Sequence, residues 1–90
     1  MREFRIEDKL EKILFKLEKK NSNLYNQIRK KISEVINSEG VEHYKNLRHD
    51  LKNFKRVHIG HFVLIFRFDK NKDIISFEDF DHHDNIYSKK

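Results

Sequence analysis

Residues 54–68 read FKRVHIGHFVLIFRF, and the reading of this stretch decides the fold. Phe62, Leu64, Phe66 and Phe68 alternate with His61, Val63, Ile65 and Arg67, the period-two signal of a strand with one buried face. The preceding run alternates too, with Val57 and Ile59 on one side and Phe54, Arg56 and His58 on the other. Gly60-His61 closes the two runs as a two-residue loop with glycine first, the type II′ pattern. That register pairs Ile59 with Phe62 and Val57 with Leu64, so the apolar faces coincide. It also sets His58 opposite Val63, Arg56 opposite Ile65 and Phe54 opposite Arg67. A slip of one residue would bury Arg56 and His58 and expose the phenylalanines, so the register is well specified.

Working outward, Ile74 to Phe80 reads as a further strand after the polar turn Asp69-Lys70-Asn71-Lys72-Asp73, pairing Phe68 with Ile75 and Phe66 with Phe77. From Asp81 the chain is expected to leave the sheet. Upstream, Leu10, Ile13, Leu14 and Leu17 define an amphipathic helix from Asp8 to about Lys20. A second helix, from about Leu24 to Ser38, carries Leu24, Ile28, Ile32, Val35 and Ile36 on one stripe, with Gly40 at the expected C-cap. Asn21-Ser22-Asn23 separates them, so the pair forms an antiparallel hairpin. Glu3 to Ile6 is either a short edge strand or the run-in to the first helix. Val41 to Asn53 is a connection, with a short strand near Tyr44–Arg48. The expectation is one α+β domain over residues 1–90: a two-helix hairpin on one face of a three- to four-stranded antiparallel sheet, the other face open.

Composition narrows the class. Ninety residues hold one core, and no apolar run reaches the length of a membrane span. No signal-peptide pattern precedes the first helix, and without cysteine there is neither a disulfide framework nor thiol chemistry. A soluble, cytoplasmic protein is the simplest reading. The net charge of +5 lies in the first two thirds, where residues 1–60 carry 15 Lys/Arg against 9 Asp/Glu. Lys45, Arg48, Lys52, Lys55 and Arg56 fall between His43 and His58 with Asp50 the only acid, a stretch suited to a polyanion.

Six histidines are many for this length, and His58, His61, His82 and His83 flank the sheet. Imidazole both takes and gives a proton near neutral pH. Arg56 shares a face with His58; Arg67 projects there from the neighbouring strand, as does His82 if the last strand runs straight. No metal or other cofactor is expected, because adjacent His82 and His83 point to opposite faces in an extended chain and His58 and His61 do not face each other. A metal-free RNase needs a base for the 2′-hydroxyl, an acid for the 5′-oxygen and cations for the pentavalent phosphate. This face offers such groups.

YKNLRHDLKNFKRVHIGHFVLIFRF, residues 44–68, resembles the central block of the RelE/ParE toxin superfamily, and FDHHDNIY, residues 80–87, resembles its C-terminal His/Arg…Tyr signature. The resemblance implies a RelE-like toxin of a type II toxin–antitoxin pair, an endoribonuclease that cuts mRNA in the ribosomal A site and inhibits translation. It implies catalytic roles for Arg56, His58, His83 and Tyr87. RNA contacts are expected from Lys45, Arg48, Lys52, Lys55, Arg67 and His82. Expected partners are a RelB-like antitoxin, in a complex of higher oligomeric order, and the ribosome with its mRNA. Where the family often has an arginine three residues after the turn glycine, this chain has Val63. Two other readings are a ParE-like protein that poisons DNA gyrase through protein contacts and a non-catalytic basic RNA-binding module.

Overall fold

The computed structural model describes residues 2–47 and 53–88, with side chains as far as Ile86. The chain runs β1 (Glu3–Ile6), α1 (Asp8–Lys20), α2 (Ser22–Asn37), a 3-10 turn at Val41–His43, β2 (Lys55–Ile59), β3 (Phe62–Asp69), β4 (Ile74–His82) and α3 (His83–Ser88). The four strands form one sheet in the order β1-β4-β3-β2.

The central hairpin has the register its sequence specifies: Arg56 faces Ile65, Val57 faces Leu64, His58 faces Val63 and Ile59 faces Phe62. Gly60 takes φ of +61° and His61 does not share that sign, as a II′ loop requires. Phe66 faces Phe77 and Phe68 faces Ile75, again as expected. The Phe54 and Arg67 side chains meet as a cation–π pair, 5.4 Å from guanidinium to ring centre.

Both helices carry the apolar stripes read from their spacing and lay them on one face of the sheet. Leu10, Ile28 and Val35 are fully buried there with Leu64, Phe66, Ile75 and Phe77. Each such side chain contributes about 1.5–3 kcal/mol through its removal from water. Asn21 links the helices and caps α2, its side chain accepting from the Leu24 amide at 3.2 Å. Gly40 is not the helix C-cap. The helix stops at Asn37 because Ser38 turns to an extended conformation, and its Oγ accepts the Gly40 N–H at 3.1 Å.

Three features differ from the sequence expectation. First, the sheet is mixed rather than antiparallel: β1 is an edge strand running parallel to β4, with Phe4 beside Ile75 and Ile6 beside Phe77. Only Glu7 separates β1 from α1, so the docking of α1 against β4 sets the strand's direction, and the Glu7 amide bonds the Phe77 carbonyl at 2.9 Å. Second, β4 extends to His82, and its ladder with β3 shifts between Ile65 and Phe66, leaving Glu78 bulged. Third, the sheet's outer face is not open throughout. Val63 and Ile65 are buried on it in a second apolar cluster with Leu47 and Ile86, flanked by Phe54. The expected strand near Tyr44–Arg48 reduces to a single bridge, Asn46 to Lys55, within the described part.

Candidate active site

The bulge at Glu78 determines which side chains reach each face. Phe80 and His82, two and four residues beyond it, turn to the helix side, opposite Leu64 and Phe62. Asp79 and Asp81 turn outward instead. The outer face therefore presents two rows across three strands, Arg56–Ile65–Asp79 and His58–Val63–Asp81. His82 does not join Arg67 on that face, as a straight strand would have placed it. Its ring meets Phe62 edge-on at 5.7 Å and stacks on His61 at 6.1 Å.

His83 opens α3 and is fixed by its backbone, whose amide bonds the His61 carbonyl at 2.9 Å. Asp81 ties the end of β4 to the same helix: its Oδ1 accepts the His82 amide at 2.8 Å and Asn85 Nδ2 at 3.0 Å. These bonds hold His83 close enough to His58 for their charges to interact. The His58 imidazole is held below its ordinary pKa of 6.5, first by burial, then by repulsion from Arg56 and from His83. A lowered pKa favours the neutral ring, the form that accepts a proton. Arg56, His58 and His83 are thus brought into one electrostatic neighbourhood at one end of the outer face, beside the buried Val63.

The remaining expected residues divide. Tyr87 lies in α3 one helical turn after His83, and its side chain falls outside the described part. Arg48 and Lys52 also lie outside the described residues. Lys45 is exposed, and its carbonyl accepts the Arg56 amide at 2.9 Å. Lys55, paired with Phe66, points away from the outer face. Its ammonium donates to the Tyr44 carbonyl at 3.1 Å, to Asn46 Oδ1 at 2.9 Å and to the Glu42 carbonyl at 3.4 Å. Arg67 is on the outer face but ion-pairs with Glu78 at 3.1 Å while covering the Phe54 ring.

Sequence reasoning missed Asp79 and Asp81 on the outer face. The signal was the spacing of Phe77 and Phe80, which a regular strand cannot bury together. It also missed a groove of about 290 Å³ beside His58, lined by Gln27, Lys30, Lys31, Glu34, Ile59 and Gly60. The expectation that His82 and His83 point apart is corrected as well. The chain turns from strand to helix between them, and their rings stand 5.2 Å apart.

Residues 5–87 match the family described as "ParE toxin of type II toxin-antitoxin system, parDE". The chain is 50% identical to the putative toxin RelE4 of Methanocaldococcus jannaschii, over 100% of this chain and 95% of that protein. Among solved structures, Escherichia coli YafQ superposes with a TM-score of 0.73 at 15% identity, covering 97% of this chain and 99% of YafQ. The RelBE2 toxin–antitoxin complex of Mycobacterium tuberculosis includes a chain that superposes with a TM-score of 0.67 at 19% identity, 90% of each chain being covered. The family match and the RelE4 relationship each span nearly the whole sequence, and the fold agrees with both. The chain belongs to the RelE/ParE superfamily, the toxins of type II toxin–antitoxin systems.

Proposed function

We propose that this toxin is a ribosome-dependent mRNA endonuclease that cuts in the A site by acid–base catalysis without a metal ion. The observation that carries the reading is the grouping of Arg56, His58 and His83 at one end of the outer face, with His58 biased to its neutral form. In this reading neutral His58 takes the proton of the 2′-hydroxyl, and the oxygen attacks the adjacent phosphate. Arg56 stabilises the charge that builds on the phosphorane. Protonated His83 gives a proton to the departing 5′-oxygen, and Tyr87 orients or stacks on a base. Lys45 supplies phosphate contacts, joined by Arg48 and Lys52. Lys55 contributes by holding the 42–46 segment beside the site rather than by touching RNA. Arg67 and His82 lie at the margins and make secondary contacts.

The protein works in the cytoplasm, where ribosomes are, and no described helix is long and apolar enough to cross a membrane. A RelB-like antitoxin neutralises it by laying an acidic, amphipathic segment over the basic surface, in a complex of higher order. Support for such a partner comes from the toxin–antitoxin character of the family. The family description, which names ParE, favours one competing reading, a gyrase poison acting through protein contacts. Induced expression separates the two. The nuclease reading expects translation to stop first and His83→Ala or Tyr87→Phe, at equal soluble expression, to relieve growth arrest. DNA damage with translation intact, or wild-type toxicity in both variants, would contradict it.

A further inference from the structure

We propose that His82, His83 and Asp84 form a binding site for a zinc-type divalent ion, and that occupancy of this site silences the toxin. The second clause rests on the nuclease reading; the first stands without it. The strand-to-helix turn that overturns the expected divergence of the two histidines is what creates the site. One donor atom from each of the three residues lies within 4.8 Å of the other two. The Asp84 carboxylate reaches both rings, its Oδ2 3.6 Å from His82 Nδ1 and its Oδ1 3.3 Å from His83 Nε2. Donors around a tetrahedral zinc ion, each at about 2.0–2.1 Å, stand about 3.3–3.5 Å from one another. The Asp84–His83 separation is therefore already at coordination spacing, and side-chain rotation brings His82 Nδ1 to the same carboxylate oxygen.

The chemistry of the donors is selective. Two imidazoles and a carboxylate suit zinc, nickel or copper, whereas magnesium and calcium require an oxygen cage. His82 Nδ1 accepts the Asp84 amide at 3.2 Å, so that nitrogen is unprotonated, and its one lone pair turns from the amide to the ion on binding. The His83 backbone is pinned to His61, which keeps the turn in shape while side chains adjust. Three protein ligands leave the fourth position to water. Metal on His83 removes the lone pair through which that ring exchanges protons, so the bound toxin cannot complete the proposed proton transfer.

The test uses the full, untagged chain in a chelator-free buffer. Calorimetric titration with zinc chloride alone is expected to give one ion per chain with a dissociation constant of about 1–100 μM, and titration with magnesium chloride to give no binding. Asp84→Ala should weaken zinc binding at least about tenfold, and His82→Ala more, since each loses a ligand. No zinc binding up to about 1 mM, or undiminished binding in both variants, would overturn the site. In a cleavage assay, zinc should inhibit the wild type and spare Asp84→Ala, each measured against its own rate in chelator. Equal inhibition of the two, or none of the wild type, would overturn the regulatory clause. Absence of cleavage at every zinc level would count against the nuclease reading, leaving calorimetry to decide the site.

Discussion

Phe77 and Phe80 both point into the helix-side core although they stand three residues apart, because Glu78 is bulged from the ladder between them. Phe77 is fully buried and Phe80 is 4% exposed. We expect Phe80→Ala to destabilise the fold by about 3–5 kcal/mol, as a buried aromatic does, comparable to Phe77→Ala. A regular strand would leave Phe80 on the outer face and cost well under that. Urea denaturation of the two variants checks it.

The same bulge explains where the sequence stopped being informative. Alternation fixed the β2–β3 register residue by residue, and the helix stripes were legible from spacing alone. Both signals are local. The parallel partner of Glu3–Ile6 lies some seventy residues away, and a four-residue strand carries nothing that names its partner or direction. The placement of His82 needed the unequal spacing of Phe77 and Phe80 to outweigh the period-two rule. The burial of Val63 and Ile65 depended on Leu47 and Ile86, whose approach only the tertiary fold determines. Of the candidate site, Arg56 and His58 were placed correctly on their face. His82 lies on the other face, and the Lys55 ammonium bonds the adjoining segment at Glu42, Tyr44 and Asn46.

Val63 is a packing residue of the second apolar cluster, with no exposed surface. Val63→Arg, the residue that the family resemblance leads one to expect there, should therefore destabilise this chain by roughly 3–5 kcal/mol, the effect of an uncompensated buried charge. A denaturation midpoint equal to wild type would show that the outer face opens readily to admit the side chain.

The depressed His58 pKa has a definite sign in stability. The folded state binds its proton less readily than the unfolded chain, so this group's contribution is fully present above 6.5 and is lost as pH falls through that range. Imidazole resonances followed by NMR should give His58 a pKa below 6.5. Arg56→Gln should raise it part of the way back, because burial, the larger cause, remains. A value at or above 6.5 in the wild type would contradict the assignment.

Lys55 and Lys45 should separate structure from RNA binding. Lys55→Met loses three donated bonds and is expected to lower stability by about 1–2 kcal/mol. The salt dependence of RNA affinity should be unchanged in it. Lys45→Ala should leave stability alone and reduce the slope of log affinity against log salt by about 0.7, one phosphate contact on a single strand. The reverse pattern would exchange the two roles.

In the proposed mechanism, the Arg56–His58–His83 grouping cleaves mRNA without a metal. The most direct measurement is cleavage on programmed ribosomes, mapped by primer extension, with and without chelator. Cuts within the A-site codon are expected to persist in chelator and to be lost in His83→Ala. Intact mRNA on translating ribosomes, or cuts abolished by the chelator, would contradict it.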